Sequence, residues 1–575
     1  MPIRNNKSPS GGNIPSEPPH DAVQNSNSAN IQQNLSEHFF SRAFLGIMAL
    51  AILVRVVVLL TREAFSGDEY ATMLVVLSPN GILQTLANSD NHPPLYYLLL
   101  KGWINFFGIQ EHAVRSLSML LGIAAVGVFP FWLRELGLSR RAALWGMMLF
   151  ALAGMQVQFS TEARDYMFGC LLEVLCLYCY TAAIRRQSPP HWIAFGIFLL
   201  LSFYTHHLLV PFAGAYLLAA WILGASRRSW IWLLAVLAAD ALLYLPGFEL
   251  LRTQIRTNAH NLDWISTLWT QQHLIIYAIP DSLQHLSLMG NYSDLIKHGF
   301  IRRCVIAGSV VGCLLAVILA LVPTRRMFCK FFQIEITNVA DNAQVCVLLL
   351  FCFYDLIFLY LYSLLHMPLY VVGRYDFFSQ PGFLALLAVG IAQFQQALSC
   401  KNAWFGRLAP LSLTALVCIP CLANASHPFD IDDLYTKRSE VLAQYVQPGD
   451  IVIATWGDLK GLEYEQYLHH IPVIIVSFPL RPSGESALTD NRVFSPSNLN
   501  EQANSIINIF NHSGSKNHIW LAYNPNVSLS FHDSFFAAKV FSSLADHSGL
   551  QRWQPGPDGN NITNQLFMIA WKHKP

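Results

Sequence analysis

Long apolar runs broken by short polar stretches fill most of the chain, and the pattern changes character twice. Residues 1–40 are rich in Asn, Ser, Pro and Gln, a composition that cannot bury a core and predicts a disordered tail. From 41 to 425 the runs become long enough to cross a bilayer, for which about 20 mostly apolar residues are needed. By that measure about eleven spans are predicted, near 41–61, 113–133, 142–160, 165–184, 192–206, 207–224, 230–247, 301–322, 343–365, 377–396 and 408–424. From 426 to 575 the composition is that of a soluble domain. Apolar runs at 451–455, 472–477 and 518–523 read as strands, with 565–571 as an added edge. Helix-like runs at 434–446, 458–469 and 533–545 alternate with them, which predicts a small α/β domain.

Two stretches decide how the spans are threaded. The connection 62–112 holds an amphipathic run around 69–87 and an apolar one at 93–108. The second is short, opens with Pro-Pro and contains Lys101 and Asn105, so it reads as a helix lying in the interface rather than a span. With that choice and a cytoplasmic N-terminus, the connections 134–141, 185–191, 225–229, 323–341 and 399–407 all fall in the cytoplasm. Each carries Arg or Lys, as the positive-inside tendency requires. The connection 62–112, the long polar loop 248–300 and the domain 426–575 then lie outside, and the first span is a retained anchor. The chain is read as a multi-pass protein of a bacterial inner membrane.

Composition agrees. Of 575 residues 53% are hydrophobic and only 12% are charged, against about 25% charged in ordinary soluble domains. The net charge of +1 comes with no basic patch, which excludes nucleic acid as a partner. Eleven cysteines fall between Cys170 and Cys421 without the paired spacing of a zinc site. The cysteine-free C-terminal part is compatible with an oxidising compartment.

Candidate chemistry gathers on the outer side. Ser66-Gly67-Asp68-Glu69-Tyr70 follows the first span, and Ser66 with Glu69 fits a capping box. That leaves Asp68 as a carboxylate at a helix start, placed to take a proton as a general base, with Glu69 beside it. His92, in Asn91-His92-Pro93-Pro94, is a candidate for a phosphate or an acceptor. Arg55 lies inside the first span, where an ionisable group is costly and a functional candidate by default. Arg115 opens the second span, Glu162, Arg164 and Asp165 open the fourth, and Arg374-Tyr375 arrives at the same face from much later in the chain. Arginine offers paired donors to a phosphate. His206 and His207 also reach this face, but adjacent histidines on a helix point apart. No metal set is identified, no cofactor is called for, and assistance by a divalent metal is left open.

Gly67-Asp68-Glu69-Tyr70, His92-Pro93-Pro94-Leu95-Tyr96-Tyr97-Leu98, Val114-Arg115-Ser116, Arg134-Glu135-Leu136-Gly137, Gln158–Tyr166 and Gly373-Arg374-Tyr375 together resemble the membrane-integral C-type glycosyltransferases. Within these the pattern is similar to the branch of protein O-mannosyltransferases and bacterial lipid A aminoarabinose transferases. Tyr96-Tyr97 stands where the protein O-mannosyltransferases usually show Gly-Lys, which points to the bacterial branch. The resemblance implies a C-type fold and a sugar donor on a polyprenyl monophosphate. It further implies inverting transfer to a hydroxyl of a lipid, glycan or protein, with Asp68 as base and Arg115, Arg164 and Arg374 toward the lipid phosphate. The rival reading is a transporter or lipid flippase with an accessory outer domain; charges gathered at one face, without repeated halves, favour the enzyme.

Overall fold

The computed structural model describes residues 20–62, 65–258, 273–288 and 340–401, five strands between 450 and 573, and scattered residues between these. Helix α1 (His20–Thr61) is apolar enough to span from Phe40 onward. It begins inside the stretch expected to be a disordered tail, since a helix already nucleated in its apolar half propagates at little cost. Leu45, Leu53 and Leu60 stand exposed along it, as side chains that face lipid do.

The expected single amphipathic helix at 69–87 is two, α2 (Gly67–Leu77) and α3 (Ile82–Ser89). Ser78-Pro79-Asn80-Gly81 lies between them: Pro79 cannot continue the helical hydrogen bonding, and Gly81 takes φ +83°. Helix α4 (Leu95–Phe107) has 13 residues, roughly 20 Å, too short to cross. One face buries Tyr96, Tyr97, Leu100 and Ile104, while Phe106 is 86% exposed. Trp103 Nε1 donates to the Ala113 carbonyl at 2.9 Å and fixes α4 to the next helix.

The bundle is built from α5 (Glu111–Glu135), α6 (Arg140–Leu152), α7 (Gly154–Ser160), α8 (Tyr166–Arg186), α9 (Pro189–Phe203), α10 (Phe212–Ile222), α11 (Arg227–Leu243), α12 (Leu245–Asn258), α13 (Leu274–Leu288), α14 (Asn342–Leu365) and α15 (Gln380–Lys401). Among the described residues five helices are long and apolar enough to cross a membrane, and two bent pairs raise the number to seven. The expected spans 301–322 and 408–424 fall mostly outside the described residues. The pair 192–206 and 207–224 appears as two shorter helices, separated by a 3-10 turn at His207–Leu209. The expected span 142–160 bends by 54° between α6 and α7, and the span at 230–247 continues into α12 across a 53° bend at Tyr244. Part of the loop 248–300 is thus helical, and Gln254 of α12 donates to the Leu86 and His92 carbonyls.

Helix α5 packs along α8, with α6, α14 and α15 behind them. Both α5 and α8 start at the same end, and at the other end Arg186 pairs with Glu135. Helices α14 and α15 approach so closely that a Cβ on Gly382 would lie 2.6 Å from the Cys352 backbone nitrogen.

The C-terminal strands are β1 (Asp450–Thr455), β2 (Val473–Phe478), β3 (His518–Ala522), β4 (Leu550–Trp553) and β5 (Met568–His573), in the order β2-β1-β3-β5-β4. The first three are parallel, and β5 is antiparallel to both β3 and β4. Strand β4, four residues with polar Gln551 and Arg552, carries no pattern that announces it. Buried Asp450 accepts from the His518 backbone N–H and from Trp520 Nε1, which locks β1 to β3. The helix-like runs expected between strands lie outside the described residues.

Candidate active site

The site grows from the first turn of α2. The Glu69 backbone N–H donates to Ser66 Oγ at 3.4 Å and the Ser66 N–H donates to Glu69 Oε2 at 2.8 Å, completing the capping box. Glu69 is fully buried and receives Arg115 as a fork, Nε to Oε1 at 2.8 Å and Nη2 to Oε2 at 2.7 Å. The Ala163 N–H adds a bond to Oε1 at 2.8 Å, and Arg115 Nη1 donates to the Arg62 carbonyl at 2.8 Å. Burial alone would raise the Glu69 carboxyl, but the Arg115 charge and hydrogen bonds, with Arg62, outweigh it and bring it down to about 2. Glu69 and Arg115 therefore join α2, α5 and the turn before α8. The catalytic and phosphate-holding tasks expected of them would have to be performed from within this joint. Turning Arg115 toward a phosphate would leave the Glu69 charge bare in the interior.

Arg55, expected to bind substrate, is likewise enclosed. Its Nε donates to Ser160 Oγ at 3.0 Å and its Nη1 to the Ala151 carbonyl at 2.8 Å, across the break between α6 and α7. These contacts fasten α1 to the broken helix, while Arg55 Nη2 is buried with no partner among the described residues.

Asp68 belongs to different company. Its Oδ2 lies 2.8 Å from Arg374 Nη1, with the side chains 19% and 39% exposed, so this pair is open to solvent where Glu69–Arg115 is not. Arg164 Nη1 donates to Thr72 Oγ1 at 3.0 Å and to the Asp68 carbonyl at 3.4 Å, while its buried Nε–H has no partner among the described residues. Burial would raise the Asp68 carboxyl; Arg374, Arg164 and His92 outweigh it and hold it below its ordinary value. Arg374 itself is held high by Asp68.

His92 closes the other side. Its Nδ1 lies 2.6 Å from Asp90 Oδ1, Tyr97 donates to Asp90 Oδ2 at 3.0 Å, and His92 Nε2 is 3.2 Å from Arg164 Nη2. Burial lowers the imidazole, but Asp90 and Asp165 more than offset it, so it titrates above its usual value. Glu162 sits at the same place with its carboxyl pushed up to about 7, by burial and then by the Glu69 charge. Asp165 and His206 are buried beside them, and the Tyr375 ring lies 6.1 Å from His206. His92, Asp165 and His206 bring ligand-type atoms within 4.8 Å of one another, the composition of a metal site.

Asp68, His92, Glu162, Arg164, Asp165, Arg374 and Tyr375 are thus brought together, whereas Arg55 and the Arg115–Glu69 pair are enclosed in bonds of their own beside them. Sequence reasoning passed over Asp90 and Thr72. Asp90 stands two residues before His92, a spacing that would have suggested a carboxylate orienting an imidazole; nothing in the sequence marks Thr72.

Residues 91–245 match the model of a family described as dolichyl-phosphate-mannose-protein mannosyltransferase. That segment contains His92, Arg164 and Asp165 but neither Asp68 nor Arg374. No curated protein sequence matches the chain. Among solved structures, the archaeal oligosaccharyltransferase AglB from Archaeoglobus fulgidus, in complex with an inhibitory peptide and a dolichol-phosphate, is similar over 90% of this chain and 73% of its own. The identity is 13% and the TM-score 0.51. ArnT from Cupriavidus metallidurans in the apo state is similar over 92% of this chain and 97% of its own, at 11% identity and a TM-score of 0.50. Its form bound to undecaprenyl phosphate gives 11% and 0.48. The candidate spans and the family match over residues 91–245 indicate a membrane-integral glycosyltransferase. Within that class it is similar to the protein mannosyltransferases, and it shares its fold with AglB and ArnT.

Proposed function

We propose that the protein moves a sugar from a polyprenyl-monophosphate donor to a hydroxyl on a lipid, glycan or protein, with inversion and with Asp68 as general base. The observation that carries this is the half-exposed Asp68–Arg374 pair flanked by Arg164, whose buried Nε–H has no partner among the described residues. A carboxylate and two guanidinium groups are what such a transfer requires. The acceptor oxygen attacks the anomeric carbon from the face opposite the phosphate, and its proton passes to Asp68. The bond from anomeric carbon to phosphate oxygen breaks, its electron pair leaves on the polyprenyl phosphate, and Arg164 and Arg374 offset the charge gathering there. The dolichol-phosphate in the AglB complex supports a lipid phosphate as the group these arginines meet.

On this reading the site faces outward from a bacterial inner membrane and the N-terminus is cytoplasmic, which the basic connections between spans support. The first forty residues are the cytoplasmic tail, 41–425 the transferase body, and 426–575 an extracytoplasmic α/β domain built on the mixed sheet.

The test is Asp68→Asn, assayed for sugar transfer from a polyprenyl-phosphate donor and for binding of undecaprenyl phosphate. Transfer is expected to fall by about 10²–10⁴-fold, the usual worth of a general base, with lipid-phosphate binding retained. Transfer near the wild-type rate would remove Asp68 from the mechanism.

A further inference from the structure

Three buried polar atoms beside Arg164 have no partner among the described residues: Asp165 Oδ1, Asp165 Oδ2 and His206 Nε2. Asp165 is 1% exposed and His206 4%. Buried polar atoms are nearly always paired, so three bare ones in one place point to a ligand.

The hydrogen bonds already made there tell which kind. His206 Nδ1 accepts the Leu208 backbone N–H at 3.2 Å, so Nε2 carries the ring proton and presents a donor rather than a lone pair. His92 Nδ1 donates to Asp90, and its Nε2 faces the Arg164 guanidinium, a cation where a metal would have to sit. The composition of a metal site is therefore not matched by its protons or its charge. Two bare acceptors on one carboxylate and one bare donor are instead the complement of adjacent hydroxyl groups. A diol donates both protons to the carboxylate, and one of its oxygens accepts from Nε2–H. Such an oxygen bridges groups up to about 5.6 Å apart at ordinary hydrogen-bond lengths, and a ring nitrogen of His206 lies within 4.8 Å of an Asp165 carboxylate oxygen.

The walls fit as well. The His206 ring centroid lies 5.5 Å from that of Tyr166, 5.1 Å from Phe378 and 6.1 Å from Tyr375. Rings around a carboxylate and an imidazole offer an apolar surface to the C–H face of a pyranose and hydrogen bonds to its rim.

We propose that Asp165 and His206 form the subsite for the donor's sugar and select one with two adjacent free hydroxyls. This rests on the reading of a lipid-phosphate donor held by Arg164. Because Asp165 directly follows Arg164, sugar and phosphate would be gripped by neighbouring residues, as their covalent linkage demands.

The experiment compares binding of undecaprenyl phosphate with undecaprenyl phosphate carrying mannose, glucose, galactose, N-acetylglucosamine or 4-amino-4-deoxyarabinose. The full-length wild type, Asp165→Asn and His206→Gln are measured in detergent, with and without EDTA. In the wild type one sugar is expected to bind more tightly than the bare lipid phosphate, in either condition. Asp165→Asn should lose that preference by about tenfold or more, with bare-lipid affinity unchanged, which also reports that it is folded. Deleting one hydroxyl of the preferred sugar should cost the wild type a similar factor and the variant little. Should Asp165→Asn fail to fold, His206→Gln is read the same way, with a smaller loss. No sugar preference in the wild type, full preference in a folded variant, or a preference abolished by EDTA would each overturn the subsite. A wild type that does not bind bare undecaprenyl phosphate would overturn the donor reading instead.

Discussion

Asp68 and Glu69 are chain neighbours with the same chemistry and opposite surroundings, one paired with Arg374 in a partly exposed place and the other enclosed with Arg115. Glu69 is enclosed with Arg115, so truncating Arg115 to Ala strands a charge in the interior. Arg115→Ala is expected to destabilise the protein by about 3–5 kcal/mol, read from chemical unfolding in detergent. Combining it with Glu69→Gln should recover part of that loss, because the stranded charge is gone. Glu162 gives the pH dependence. Its carboxyl binds a proton more tightly folded than unfolded, being raised from 4.5 to about 7, so stability is greatest below the unfolded value. It falls as pH rises toward 7, by roughly 3 kcal/mol for a shift of that size, and then levels off. Glu162→Gln should flatten this slope between pH 4.5 and 7 in thermal unfolding, and an unchanged slope would clear Glu162 of it. At this scale the sequence showed the capping box, because Ser66 and Glu69 are three apart and local. It did not show that Arg115 closes on Glu69, since that contact depends on how α5 is set against α2.

Among the helices, the device that most needs explanation is the bend between α6 and α7. The last carbonyls of α6 lose their helical partners at the break, and Arg55 Nη1 takes one of them, from Ala151, while its Nε holds Ser160 at the far end of α7. The room for this is made by Gly122 on α5, where a Cβ would fall 2.1 Å from Ser160 Oγ and 3.4 Å from Arg55 Nε. Gly122→Ala must therefore push Ser160 or α5 aside. A cost of about 1–3 kcal/mol is expected, the range for an overfilled core, seen as a lower unfolding midpoint. Gly46→Ala, with nothing within 4 Å, should be neutral or slightly stabilising. Apolar length announced α5, α8, α14 and α15 because a span is written in composition alone. The break in 142–160 was not legible, for Gly154 is an ordinary residue in a span, and an arginine inside a membrane helix reads as a ligand-binding group until its partners are seen. The bend at Tyr244 is foreshadowed by Pro246-Gly247 just after it, but the apolar run continues across it and hides it from a reading by hydropathy.

Over the whole molecule, the site depends on two segments from opposite ends of the membrane body. Asp68 follows α1 and Arg374 precedes α15, and they meet at 2.8 Å. Helices α5 and α8 supply the frame between them, starting at the site and tied at their far ends by Glu135 and Arg186. The pairing has a consequence for turnover. If Asp68 is the base and the donor a lipid phosphate, as proposed, then while Arg374 holds Asp68 the carboxylate is a weaker base than an unpaired one, and an arriving phosphate that competes for the same guanidinium returns its basicity. Donor should therefore precede acceptor. Arg374→Ala removes one of the charges that hold the Asp68 carboxyl low, so the acid limb of kcat/KM against pH should move to higher pH. Without the guanidinium, kcat/KM for the donor should also drop by about 10–100-fold, the worth of a charged hydrogen bond to phosphate. Arg374→Lys keeps the charge without the fork; it should leave the acid limb near its wild-type position and lose part of the donor affinity. An acid limb that stays fixed in Arg374→Ala would mean that Asp68 titrates independently of Arg374, and donor-first binding would lose its physical cause.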